Sequence, residues 1–247
     1  GNTASGAYAL YTNTTGGYNS AFGVNSLDAN TTGDHNSAVG KNALSANTTG
    51  SGNTASGAYA LYTNTTGDYN SAFGINSLKV SVSGDNNTAL GWNSLTANAS
   101  GANNTAIGSE AGDVITTGGN NVIIGSSSDP SANSASNQIV IGYGATGQAN
   151  NSVTLGNADV TAVYMAQDKG ATVYTAGISL QNDETITNAV DGTVLITATT
   201  TSVSDDLTVA DDLSLSSDAA VINLGVHGDV TITHDADDGI ELKSAAT

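Results

Sequence analysis

The phrase GNTASGAYALYTNTTG at residues 1–16 returns unchanged at residues 52–67. The copies stand 51 residues apart, three times 17, with two looser versions between them. Asn recurs at Asn2, Asn19, Asn36, Asn53, Asn70, Asn87 and Asn104. Ala follows two residues later and Gly two after that, and a second Gly closes each unit at Gly16, Gly33, Gly50, Gly67, Gly84, Gly101 and Gly118. Leu recurs at Leu10, Leu27, Leu44, Leu61, Leu78 and Leu95. A fixed period of this fidelity marks a stacked repeat, in which each unit packs on its neighbours.

The units do not read as helices. Each carries two or three Gly with several Thr, Asn and Ser, all poor in helix interiors. Two short extended runs fit instead, one over N-[ST]-A-x-G and one around [AS]-L. The Asn-Thr-Thr-Gly phrase suits a turn, because Asn and Gly accept left-handed backbone angles. Stacked coils lie about 4.8 Å apart in a parallel sheet. This predicts an all-β fold: a parallel β-roll, or β-solenoid, of 17-residue repeats over residues 1–118. The expected repeat core is Ala21, Phe22, Gly23, Leu27, Ala72, Phe73, Gly74, Leu78, Ile107, Ile124 and Ile141. One coil of this length is too narrow to enclose both the Leu column and the column of Phe22, Val39, Phe73, Leu90, Ile107 and Ile124. Neighbouring chains are expected to complete the burial, with a homotrimer the simplest closed arrangement.

Residues 119–156 keep the rhythm with bulkier letters, as in Asn121-Val122-Ile123-Ile124-Gly125 and Asn137-Gln138-Ile139-Val140-Ile141-Gly142. They read as divergent terminal coils that seal the roll, joined by the segment 126–136 with the only proline, Pro130. Residues 157–247 lose the period and hold 15 of the 22 acidic residues. They are expected to form a slender, acidic, interlaced β-rich shaft, and the whole is read as a piece of a longer chain.

At this point the residues resemble a known family. The N-[ST]-A-x-G strands resemble the head repeats of trimeric autotransporter adhesins, left-handed parallel β-rolls in a homotrimer. The 17-residue form with N-T-T-G, ending in N-x-I-V-I-G and N-S-V-T-L-G, is more similar to bacteriophage tail fibre proteins. The resemblance covers residues 1–156 and departs from the usual adhesin spacing. It implies a non-enzymatic structural fibre segment of a virion that presents or forms a host-receptor-binding region. Implied partners are two further copies, other virion tail proteins and a host cell-surface glycan or protein. A bacterial surface adhesin or extracellular filament is the alternative. An ice-binding solenoid is a further one, suggested by the Thr14/Thr31/Thr48/Thr65 and Thr15/Thr32/Thr49/Thr66 columns; a polysaccharide-cleaving enzyme is more distant.

Charge narrows the classes. The chain has four Lys, no Arg and a net charge of −18. Nucleic-acid binding needs a basic surface to release counterions, so it is not expected. No apolar run approaches membrane-spanning length, so no membrane insertion is expected. Cys is absent, so there is no disulfide framework. No catalytic, cofactor or metal-ligating set is read. His35, His227 and His234 lack ligand spacing, and no phosphate-binding loop occurs. The pairs Asp205/Asp206, Asp211/Asp212 and Asp237/Asp238 are candidates for Ca²⁺ on a trimer axis, though solvated turns on a self-repelling shaft are the preferred reading. Asn13, Asn30, Asn47 and Asn64 match a glycosylation acceptor that the turn reading also explains. Tyr59, Tyr62 and Trp92 are candidate receptor contacts, either as a sugar-stacking platform or as interface packing.

Overall fold

The computed structural model describes residues 1–163. Ten three-residue strands follow one another along the chain: β1 (Thr3–Ser5), β2 (Ser20–Phe22), β3 (Ser37–Val39), β4 (Thr54–Ser56), β5 (Ser71–Phe73), β6 (Thr88–Leu90), β7 (Thr105–Ile107), β8 (Val122–Ile124), β9 (Ile139–Ile141) and β10 (Val153–Leu155). They form one parallel sheet in sequence order. The register is that of the repeat: Ala21 pairs with Ala38, Ala38 with Ala55 and Ala55 with Ala72. The step is 17 residues from β1 to β9; the last, Ile139 to Val153, is 14. The predicted parallel β-solenoid is therefore present, with about nine turns.

Only the first expected run in each unit is a strand. The second is a chain of turns, and the reason lies in its backbone. Three non-glycine positions per coil take left-handed angles, as at Tyr18 (φ 58°), Asn25 (φ 55°) and Leu27 (φ 50°). Asn is the commonest residue at the first two, where its short amide tolerates this region. Leu is not suited to it, yet Leu10, Leu27, Leu44, Leu61, Leu78 and Leu95 all adopt it. The left-handed form costs about 1–2 kcal/mol at such a residue. Full burial of a leucine side chain stabilises by about 1.5–3 kcal/mol. Burial offsets the strain, and the turn side also keeps its backbone bonds: the Leu27 and Ala29 N–H groups donate to the Ala43 and Ser45 carbonyls at 3.1 Å each.

The interior is thin and one chain closes it. Ala21, Ala38, Ala55, Ala72, Ala89 and Ala106 on the strand side meet Leu27, Leu44, Leu61, Leu78 and Leu95 on the turn side, all at 0% exposure. The expectation that a lone chain leaves its Leu column unshielded is corrected on this point. Where the Leu column ends in Gly112, the space is refilled from other positions. Ile115 replaces the turn Asn, Ile123 and Val140 replace strand Ala, and all three are fully buried. A Cβ at Gly112 would lie 3.1 Å from Leu95 Cδ2 and 3.3 Å from Ile115 Cδ1.

Two buried asparagine columns run through the coils. In the first, each side chain ties its own coil to the start of the next: Asn19 Oδ1 accepts from the Asn36 N–H at 2.8 Å, and Asn19 Nδ2 donates to the Gly33 carbonyl at 2.8 Å. In the second the amides bond one another, Asn47 Nδ2 to Asn30 Oδ1 and Asn64 Nδ2 to Asn47 Oδ1, both at 2.8 Å, while each also holds the glycine three residues on. This second ladder breaks at Ser81. Asn64 Oδ1, Ser81 Oγ and Asn98 Oδ1 are buried without a partner. Ser81 is too short to reach the coil on either side, and the coil after Asn98 carries Ile115.

The glycine columns keep coils in contact. A Cβ on Gly40 (φ 136°) would stand 2.6 Å from the Gly57 carbonyl oxygen and 2.7 Å from its carbon. Gly17 has only Asp34 Oδ1 near it, at 3.6 Å.

Two outcomes follow for stability. Ser81→Asn restores a donor to Asn64 Oδ1 and is expected to stabilise by about 1 kcal/mol per regained bond, read as a rise in Tm of a few degrees. Gly40→Ala is expected to destabilise by about 3 kcal/mol or more, because strain and backbone overlap coincide, whereas Gly17→Ala is expected to be nearly neutral. Thermal melts of the three variants check both.

Candidate functional site

The outer strand face is set by the alternation of side chains along a strand. In each three-residue strand the central residue points inward and the flanking two outward. The third position gives one apolar side chain per coil on the surface: Phe22 (43%), Val39 (46%), Phe73 (42%), Leu90 (49%), Ile107 (38%), Ile141 (39%) and Leu155 (44%), with Ile124 half-buried. Ser5 and Ser56 interrupt the series. Two residues further along each coil, Val24, Ile75, Trp92 and Tyr143 add to it and are also exposed. At about 4.8 Å per step, ten strands extend this stripe over roughly 40 Å. A contiguous apolar stripe of this kind marks an interaction surface.

The expected core residues therefore divide by face. Ala21, Leu27, Ala72 and Leu78 are wholly enclosed, Gly23 and Gly74 hold adjacent coils together, and Phe22, Phe73, Ile107, Ile124 and Ile141 lie on the outer face of the chain. The outward column is the one for which neighbouring chains were invoked.

Of the candidate receptor contacts, two are brought together. The Tyr59 and Tyr62 rings meet edge to face, with centroids 5.6 Å apart and planes at 72°. Trp92 belongs instead to the stripe beside the strands, in the column of Val24 and Ile75. The duplicated phrase carries the same pair, Tyr8 and Tyr11, at 5.4 Å and 80°. Lys41 Nζ and Lys79 Nζ each lie 5.9 Å from the centre of the Tyr59 ring. Sequence inspection singled out the tyrosines but missed the lysines. The signal was the 17-residue offset from Tyr62 to Lys79, which puts them on adjacent coils. His35 is exposed and stacks on Tyr18, 4.9 Å between centroids and 4° from parallel.

The threonine columns differ in what their hydroxyls do. Thr14, Thr31 and Thr48 donate to the carbonyls of Thr31, Thr48 and Thr65 at 2.8–2.9 Å. Thr15, Thr32, Thr49 and Thr66 are exposed. Of the formal glycosylation acceptors, Asn13 is half-buried, and Asn30, Asn47 and Asn64 are fully buried with their amide nitrogens bonded inside the coil. In the folded chain those three are inaccessible to a sugar-transferring enzyme. The acidic pairs weighed for Ca²⁺ lie outside the described residues, as does the shaft beyond residue 163. Among the described residues, no group of three or more His, Asp or Glu is arranged to hold a metal ion.

One acidic neighbourhood is electrostatically unusual. Burial pushes the Asp129 carboxyl up to about 6, the charges of Asp113 and Glu110 add to this, and a hydrogen bond from the Val114 backbone opposes it. Burial and Glu110 likewise raise Asp113. Asp129 Oδ1 has no partner. Between the ordinary value of 3.8 and about 6, folded Asp129 holds a proton that the unfolded chain has lost. Its contribution to stability is complete below 3.8 and is lost as pH rises through about 6. Asp129→Asn is expected to raise Tm at about pH 7.5 and leave it nearly unchanged at about pH 3.5, which melts at the two values would check.

No protein-family model matches the chain, nor does any curated protein or solved structure.

Proposed function

We propose that this chain is a structural fibre segment: a homotrimeric β-solenoid rod of a virion tail fibre that holds or forms a host-receptor-binding region. The observation that carries the reading is the outward apolar column from Phe22 to Leu155 on a coil whose own Ala and Leu interior one chain already closes. Every coil from β2 to β10 except that of Ser56 places one large apolar side chain on the same face, two where Val24, Ile75, Trp92 or Tyr143 follows. The repeat carries that face along the rod with one break, at Ser56. Three such faces meeting about an axis would remove the stripe from water, and closed cyclic symmetry would end the assembly at a fixed copy number. Added coils lengthen such a rod without changing its cross-section. The assignment to a phage tail, and the implied tail-protein and host-surface partners, rest on the resemblance of the N-[ST]-A-x-G and N-T-T-G phrases. A bacterial surface filament would use the same apolar face. The ice-binding alternative has less support: the Thr14 column spends its hydroxyls within the stack, and Val82 and Ala99 interrupt it.

Sedimentation equilibrium is expected to give three times the 24.3 kDa chain mass. Leu90→Asp with Ile107→Asp is expected to give single chains that keep the β circular-dichroism signal, because neither side chain enters the coil interior. A monomeric native protein would refute the proposal.

A further inference from the structure

The two lysines of residues 1–163, Lys41 and Lys79, converge on one ring. They come from different coils, one before and one after the coil of Tyr59. Each Nζ is within cation–π reach of that ring, about 6 Å. Neither forms an ion pair among the described residues. Bringing two ammonium groups to one aromatic ring concentrates positive charge on a chain whose net charge is −18. The surroundings are polar and able to form hydrogen bonds. Tyr59 interrupts a column of amides, Asn25 bonded to Asn42 and Asn76 bonded to Asn93, each at 3.0 Å. Asn42 and Asn76 thus flank Tyr59 on neighbouring coils, and Tyr59, Tyr62 and Lys79 are half-buried.

The molecule contains its own comparison. Tyr8 and Tyr11 repeat the edge-to-face pair within an identical phrase. On the following coil, at the position matching Lys79, that pair has Asp28. Asp28 is held by a 2.8 Å hydrogen bond from Ser45 Oγ. The aromatic geometry is common to both sites, while the charge beside it is opposite.

We propose that Tyr59, Tyr62, Lys41 and Lys79 form a binding site for an acidic saccharide, a pyranose bearing a carboxylate. The ring faces take the apolar C–H surface of the sugar, the ammonium groups take the carboxylate, and the flanking amides take hydroxyls. The Tyr8–Tyr11 pair, with Asp28 beside it, repels the same ligand. The site borders the apolar stripe, Lys41 standing in the column of Val24, Ile75 and Trp92 while Tyr59, Tyr62 and Lys79 lie beside that column, and it spans three adjacent coils, which suits a polysaccharide chain laid across coils. It deepens the receptor-binding part of the proposed function by naming the ligand class.

The test uses the full chain with tri-galacturonic acid, its methyl ester, and acetate, by calorimetry and by NMR of the labelled tyrosines. The acid trisaccharide is expected to bind and to shift Tyr59 and Tyr62 but not Tyr8 and Tyr11. The uncharged ester is expected to bind at least about tenfold more weakly, and Lys79→Asp and Tyr62→Ala to cost a similar factor. Sedimentation mass and Tm of the variants establish that they are folded; the tyrosine shifts on the native chain decide the matter if they are not. Equal binding of acid and ester, undiminished binding by folded Lys79→Asp, competition by acetate as strong as by the trisaccharide, or no binding would each overturn the proposal. A trimeric mass alongside any of these results would leave the fibre reading standing.

Discussion

Every feature of this solenoid depends on coils approaching closely enough for backbone to bond backbone all the way round. Parallel strands achieve this on one side. On the turn side, left-handed residues rotate the N–H groups toward the next coil, as at Leu27 and Ala29. The approach is possible only where side chains are absent, which is why two glycines recur in nearly every unit. Gly40 and its equivalents have no room for a Cβ because the carbonyl of the next coil occupies it. The asparagine columns then satisfy what the bends leave over, binding the glycine carbonyls that no backbone N–H reaches.

This construction leaves almost no interior. Ala on the strand side and Leu on the turn side fill it, so the coil buries little apolar area for its length. Polar satisfaction matters correspondingly more. The break in the amide ladder at Ser81 leaves Asn64 Oδ1 and Ser81 Oγ buried without partners, and its end at Ile115 leaves Asn98 Oδ1 so. The terminal coils are built differently. There Ile115, Ile123 and Val140 replace Asn and Ala, trading amide bonds for larger buried side chains. The exchange coincides with the loss of the Leu column at Gly112. Larger side chains thus stand in the interior where the leucine is lost, as close packing requires.

The same geometry that closes the inside decides the outside. A strand of three residues can send only its centre inward, so the first and third positions face out whatever their chemistry. Hydroxyl residues at the first position need no cover. Phe22, Phe73, Leu90 and Ile107 at the third do, and one chain does not supply it. The acidic-saccharide site proposed above, by contrast, draws on departures from the repeat. Lys41 and Lys79 are informative because their columns elsewhere hold other residues.

Much of this was legible in the residues themselves. The period, the position of each strand, the parallel register and the need for Gly at each close approach follow from GNTASG and NTTG recurring every 17 residues, because stacking like on like is the only arrangement that gives identical residues identical surroundings. The split of the apolar residues between interior and exterior was not legible. Leu27 reads as a strand residue and is a left-handed turn residue; Phe22 reads as core and lies on the surface. The difference rests on the sign of φ at three positions per coil, which decides the side on which each column emerges. A leucine gives no local indication that it will adopt a strained angle, since what stabilises that angle is the enclosed space it fills. Only the closed coil supplies that space, and it also brings Lys41 and Lys79, 38 residues apart, to one tyrosine.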